Sequence, residues 1–183
     1  MAKLRKTEAI FRERWKRDED GWRKLPPRAW PAYQPPKEKI PFLEGKLEAC
    51  PRNPGAPMSQ DCVKAHFDYA TALVFGLADP PAGLDRYTQL AEAGNVDGMV
   101  AVGVTLLEGH GVPKDEEAGI RWLRAASDLD SAQGHYELGT VLYLGQVVEE
   151  DEEAAVALFR LAAAQNHAAG MFMLGDCMLE GDG

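Results

Sequence analysis

The segment Gly98-Met99-Val100-Ala101-Val102-Gly103 returns as Gly134-His135-Tyr136-Glu137-Leu138-Gly139 and again as Gly170-Met171-Phe172-Met173-Leu174-Gly175. Each copy lies 36 residues after the last (139 − 103 = 36; 175 − 139 = 36). The same step relates Gly109, Gly145 and Gly181, Val112 and Val148, Asp115 and Asp151, and Ala118 and Ala154. A fixed period in the range of about 20–50 residues marks stacked copies of one supersecondary unit. The period therefore predicts an all-α fold, an α-solenoid of antiparallel helix pairs. Such units build extended surfaces for partners and seldom carry a catalytic constellation.

A glycine inside a helix costs roughly 0.5–1 kcal/mol relative to alanine. Three in one phase of successive helices imply close helix crossings, where a Cβ would clash. Gly103, Gly139 and Gly175 are accordingly assigned to repeat packing, with Tyr136, Phe172, Leu138 and Leu174 as the knobs around the crossings. Gly109, Gly145 and Gly181 take the helix C-terminal position, where a left-handed residue is wanted. Asp115 and the acidic run Glu149–Glu153 sit at helix starts, where acids satisfy orphan N–H groups and oppose the dipole. Helices are expected over Val63–Phe75 (capped by Asp61), Leu84–Ala93, Asp97–Glu108, Asp115–Ser127, Ala132–Leu144, Glu152–Gln165 and Ala168–Glu180. The Asp79-Pro80-Pro81 turn is expected to separate the first two.

The stretch Leu90–Gly103, followed by Leu107-Glu-Gly-His-Gly-Val-Pro-Lys-Asp115, Ala118 and Trp122-Leu-Arg-Ala-Ala126, resembles the Sel-1-like repeat, a relative of the tetratricopeptide repeat. The resemblance divides residues 59–183 into a worn first unit (61–94), units 95–130 and 131–166, and a half unit (167–183). The worn unit keeps Ala82, Tyr87 and Gly94, while Asp130 and Val147 stand where the family usually has glycine. The resemblance implies right-handed stacks of helix pairs that serve as scaffolds and adaptors for protein complexes. It does not extend to residues 1–60.

Charge divides the chain of 183 residues unevenly. Residues 1–40 hold 12 Lys/Arg against 6 Asp/Glu, a balance of +6; the remainder holds 8 against 23, or −15, and the sum is the overall −9. Leu4, Phe11, Trp15 and Trp22 follow one another at intervals of 7, 4 and 7, which predicts a basic amphipathic helix over residues 1–25. Residues 26–58 carry 9 of the 12 prolines and predict an extended arm, interleaved with Trp30, Tyr33 and Phe42. Aromatic side chains gain most where a face is buried, so Phe11, Trp15, Trp22, Trp30 and Tyr33 are the candidate partner-binding residues. Cys50 and Cys62 bracket a Pro-rich loop and either close a small disulfide ring or stand as two free thiols, while Cys177 falls on a helix face expected to be buried.

Signs of chemistry are few. His66, His110, His135 and His167 form no H-E-x-x-H arrangement, and no C-x-x-C pair completes a zinc site, so neither a metal nor a cofactor is expected. His110 is expected to be an exposed loop residue. Gly109-His110-Gly111 follows a helix and lacks the remaining residues of a phosphate loop. Asp128-Leu129-Asp130 opens like a calcium loop, but its sixth and twelfth positions are Gln133 and Gly139. Neither a Ser/His/Asp nor a Cys/His motif stands out, so catalytic residues are not assigned and the chain is not expected to be an enzyme. No apolar run approaches the 18 residues of a membrane span, and the N-terminus lacks the apolar core of a secretory signal.

The expected function is that of a non-catalytic accessory or scaffold subunit. It would belong to a large multi-subunit assembly, with a mitochondrial respiratory-chain complex as the specific expectation. A soluble adaptor or assembly factor that binds clients transiently is the alternative. A further alternative is an organellar ribosomal subunit whose basic arm contacts RNA, which the acidic body opposes. The expected partners are protein subunits, with a peripheral place on a membrane complex.

Overall fold

The computed structural model describes residues 15–18, 21–24, 39–48, 50, 59–75, 79–145, 147–148 and 151–180. Eight helices are found among them: α1 Lys39–Glu48, α2 Gln60–Phe75, α3 Pro80–Glu92, α4 Val96–Glu108, α5 Glu116–Asp128, α6 Ala132–Leu144, α7 Glu152–Ala164 and α8 Ala168–Glu180. From α2 onward, three to seven residues separate one helix from the next, an all-α fold of the solenoid class. The chain divides into two compact units, Tyr33–Ala126 and Ser127–Gly183, the latter together with Met1–Ala32.

Two N-terminal expectations are corrected. Within residues 1–25, β1 Trp15–Asp18 and β2 Gly21–Lys24 pair antiparallel, with Trp15 opposite Lys24 and Trp22 opposite Arg17. The Asp18-Glu19-Asp20-Gly21 stretch has the composition of a turn, and tryptophan favours a strand; the helical stripe overlooked both. Within the arm expected over 26–58, α1 forms between the prolines. Pro41 is its third residue, in the first turn, where the missing N–H has no intrahelical partner in any case.

The worn first unit keeps more of the repeat than the sequence alone suggests. Asp79, Asp115 and Asp151 are 36 residues apart, and their side chains accept from the N–H of Ala82, Ala118 and Ala154 at 3.1, 2.9 and 2.9 Å. Asp79-Pro80-Pro81 therefore starts α3 rather than separating two helices, because proline suits the first helical positions. Ser59, not Asp61, caps α2, accepting from Cys62 N–H at 3.3 Å.

Two glycine series serve two faces of the first helix of each unit. Gly98 and Gly170 press on the preceding helix: a Cβ on Gly98 would lie 2.9 Å from Ala91 N, and one on Gly170 2.6 Å from Ala162 Cβ. Gly103 and Gly139 face the following helix, with a Cβ 2.7 Å from Leu123 Cγ and 2.8 Å from Phe159 Cε1. At Gly175 nothing lies within 4 Å, so the expected packing role is not realised there: no described helix crosses at that point. Position 67, one period before Gly103, holds a half-buried Phe67, whose ring meets Tyr87 at 5.2 Å. The worn first unit thus fills its crossing with two rings instead of a glycine and a side chain.

Tyr87, Leu123 and Phe159 are one period apart and all buried. The Tyr87 hydroxyl lies 2.7 Å from Thr71 Oγ1. Burial pushes the phenol up to about 12, outweighing the hydrogen bond with Thr71, which pulls it down. The folded value lies above the unfolded value of about 10, so this contribution to stability is intact below pH ~10 and lost as pH rises through about 12. Absorbance titration of the tyrosinates is expected to show a late-ionising component, and Tyr87→Phe to diminish it by one ring.

Candidate functional site

Among the described residues, a concavity lies within the 33–126 unit. It is a groove of about 870 Å³ lined by Pro81, Leu84, Asp85 and Thr88 of α3, Leu106 of α4, and Val112 to Glu117 of the loop and first turn of α5. Leu84, Thr88, Leu106 and Val112 are half-buried and form an apolar floor, while Asp85, Asp115, Glu116 and Glu117 are exposed on the rim. Four carboxylates against Lys114 leave three net negative charges along it (4 − 1 = 3).

The α4–α5 loop that builds one wall is held from both ends. Gly109 and Gly111 have φ of 67° and 71°, left-handed conformations that glycine adopts without strain. Gly111 also lies against Pro80, where a Cβ would come 2.5 Å from Pro80 Cγ. Between them His110 turns inward, its side chain 8% exposed, with Nε2 2.9 Å from Glu108 Oε2 and its ring edge-on to Phe75 at 5.1 Å. The expectation of an exposed His110 is thus overturned: the flanking glycines let the loop fold the imidazole underneath. His110 anchors the groove wall.

Rim carboxylates differ in their commitments. Asp115 caps α5, and Glu117 binds Arg121 at 2.7 Å. Asp85 accepts from Gln89 at 2.7 Å across one turn of α3.

In the other unit, side chains scattered in sequence meet. Ser127 Oγ lies 2.8 Å from His135 Nδ1, and His135 Nε2 lies 3.0 Å from Asp130 Oδ1. The tautomer with its proton on Nε2 lets the imidazole donate to Asp130 and accept from Ser127. This is a Ser-His-Asp chain that spacing alone did not disclose. Ser127 is 9% and His135 4% exposed, so a substrate has no approach to the hydroxyl. Gln165 donates to the same Asp130 oxygen at 3.0 Å and to its carbonyl at 2.9 Å, and His167 meets Gln133 at 2.8 Å. The arrangement is a polar latch between successive turns. His167 also caps α8, accepting from Gly170 N–H at 3.1 Å, as Asn95 and Ser131 cap α4 and α6.

Of the sequence-predicted site residues, Phe11, Trp30 and Tyr33 lie outside the described residues, and Trp15 and Trp22 fall on β1 and β2. Cys50 and Cys62 are disulfide-bonded, Cα–Cα 5.7 Å, and join α1 to the start of α2. Tyr69 reinforces this join by donating to Glu44 at 3.0 Å. Closing a short loop by a disulfide typically contributes about 2–3 kcal/mol, so reduction is expected to lower the unfolding midpoint of the 33–126 unit. Cys50→Ser/Cys62→Ser should reproduce that fall and abolish its response to reductant. Cys177 is buried in the α7–α8 core. Among the described residues no group of three or more His, Cys, Asp or Glu could hold a metal, and no helix is long and apolar enough to cross a membrane.

Residues 96–131, 132–167 and 168–183 match the Sel1 repeat. No curated protein matches the sequence. Among solved structures, the chain is similar to c5321, a protective antigen of uropathogenic Escherichia coli strains displaying an SLR fold. Identity is 25% and the TM-score 0.62, over 78% of this chain and 29% of that one. A Sel1 repeat protein from Oxalobacter formigenes is similar at 21% identity and TM-score 0.60, over 76% and 54%. Cysteine rich protein B of Helicobacter pylori is similar at 20% identity and TM-score 0.50, over 74% and 92%. The last two are likenesses of fold alone. The chain spans 29% and 54% of the length of the first two structures.

Proposed function

We propose, on the premise that residues 96–183 place this chain in the Sel1 repeat family, that it is a non-catalytic scaffold subunit that holds protein partners. Sel1 repeat proteins are typically protein-interaction scaffolds. The observation that carries the reading for this chain is the groove, an apolar floor with a charged rim. The conspicuous polar side chains elsewhere are committed to caps and turns: Asp79, Asp115 and Asp151, the Ser127–His135–Asp130 chain, and His167.

The finer proposal is permanent membership of a large assembly. It is supported by a basic N-terminal segment, 12 Lys/Arg against 6 Asp/Glu in residues 1–40, attached to an acidic remainder. A segment rich in proline and aromatic residues recovers its ordering cost best against a large, stable surface. A mitochondrial respiratory-chain complex is the specific assembly proposed, on composition alone; the organisms named above are bacterial. A Cys50–Cys62 disulfide favours an oxidising compartment for it. The second reading, a transient adaptor, is favoured by the groove's size, which suits a short segment of a client.

Native purification of the tagged full chain tests the scaffold reading. Defined protein subunits are expected to co-migrate in fixed ratio, and a chain that migrates alone under mild conditions would overturn it. Deletion of residues 1–57 separates the two finer forms: a permanent subunit drops out of its complex, while an adaptor keeps binding through its repeats.

A further inference from the structure

The geometry points to the groove between α3, the α4–α5 loop and the start of α5 as a docking site for a short basic segment with apolar anchors. This inference deepens the scaffold reading and rests on it. The floor supplies a half-buried aliphatic surface from Leu84, Leu106 and Val112, continued by the ring faces of Pro81 and Pro113. Burying leucine or tryptophan side chains there is favourable in proportion to the apolar area removed from water. The rim decides the partner's charge. Asp85 comes from α3 and Glu116 and Glu117 from the first turn of α5, with Lys114 of the adjoining loop as the cation among the lining residues.

Asp115 and Glu117 have structural tasks in capping α5 and binding Arg121, but Asp85 has none beyond its neighbour Gln89. Asp85 belongs to the interior of α3, well past the first turn, so a helix start does not account for it. It lines the groove from a different helix than the α5 acids. A ligand lying in the groove meets carboxylates from both helices and an apolar surface beneath. An extended segment that alternates arginine or lysine with leucine or tryptophan matches that order: alternate side chains face the floor, and the long, flexible arginine or lysine side chains between them bend over to bring their charged heads to the rim. An acidic segment would meet like charge from both helices.

The test is calorimetric titration of the full chain with four synthetic peptides of equal length. One alternates arginine with leucine and tryptophan, the second replaces arginine by glutamate, the third replaces it by serine, and the fourth keeps arginine but replaces the apolar residues by serine. Only the first is expected to bind well, with affinity falling as salt is added. Asp85→Lys/Glu116→Lys is expected to weaken it by at least about tenfold. Asp85→Asn/Glu116→Gln should give an intermediate loss. Both pairs lie on exposed positions, and circular dichroism establishes that the variants are folded.

Equal binding of the glutamate or serine peptide overturns the assignment of charge. Equal binding of the peptide without apolar residues overturns the groove, since charge alone would then suffice. Unchanged affinity in the folded charge-reversed variant overturns the location. None of these three results touches the scaffold reading, which the co-migration experiment decides separately.

Discussion

Gly103→Val is expected to destabilise the 33–126 unit by about 3 kcal/mol, the upper end of what overpacking a core usually costs. A Cβ at position 103 would come within 2.7 Å of Leu123 Cγ, 2.8 Å of Leu123 Cδ2 and 3.0 Å of the Gly119 carbonyl oxygen. Leu123 is fully buried and cannot swing away, and the carbonyl belongs to the backbone of α5. Relief therefore requires the two helices to move apart. Gly175 occupies the same phase of α8 and has nothing within 4 Å. There, Gly175→Ala is expected to stabilise by about 0.5–1 kcal/mol, the ordinary gain of alanine over glycine in a helix. Urea unfolding of both variants, with unchanged slope, measures the pair. Equal effects at the two positions would mean that the glycines are retained for some reason other than helix approach.

Phe159→Ala is expected to cost about 3–5 kcal/mol, the usual range for removing a buried phenylalanine. Phe159 is fully buried and fills the space that Gly139 leaves, with Tyr136 and Tyr143 both at 6.3 Å between ring centroids. Against a typical domain stability of about 5–15 kcal/mol, such a loss removes a large share of what holds the 127–183 unit folded. Phe159→Leu should be far milder, because leucine already occupies the equivalent position in the preceding repeat, as Leu123. A Leu variant as damaging as Ala would show that the ring contacts, rather than the filled volume, hold the crossing together. Near-ultraviolet dichroism alongside denaturant unfolding distinguishes these outcomes.

What is legible in the sequence follows the period. Where glycine, aspartate and alanine recur at fixed phase, from Val96 to Glu180, helix starts and stops can be read to within about a residue or two. Errors arise where position outweighs composition. Proline count suggests an unbroken extended arm, but α1 forms because Pro41 sits in a first turn. Asp79-Pro80-Pro81 looks like a terminator and is the start of α3, with the same cap as Asp115 and Asp151.

The groove is not legible at all. Its floor joins Pro81 and Leu84 to Leu106 and Val112, residues brought together by packing that no local spacing encodes. His110 misleads for a related reason. A polar residue between two glycines looks like a loop tip, yet the freedom those glycines confer lets the side chain turn inward against Phe75.

Asp130 holds the left-handed turn position, with φ 59°, that Gly94 and Asn166 occupy one period on either side with φ 85° and 60°. Glycine would relax that backbone, but it would have no carboxylate to receive both His135 from its own turn and Gln165 from the next. The local strain of one residue is thereby exchanged for coupling between neighbours. In a linear array, where each repeat otherwise touches only the next, such coupling decides whether the end frays helix by helix or opens as one block. Asp130 ties the start of α6 to the end of α7, so Asp130→Gly is expected to let hydrogen exchange in α7 uncouple from that in α6.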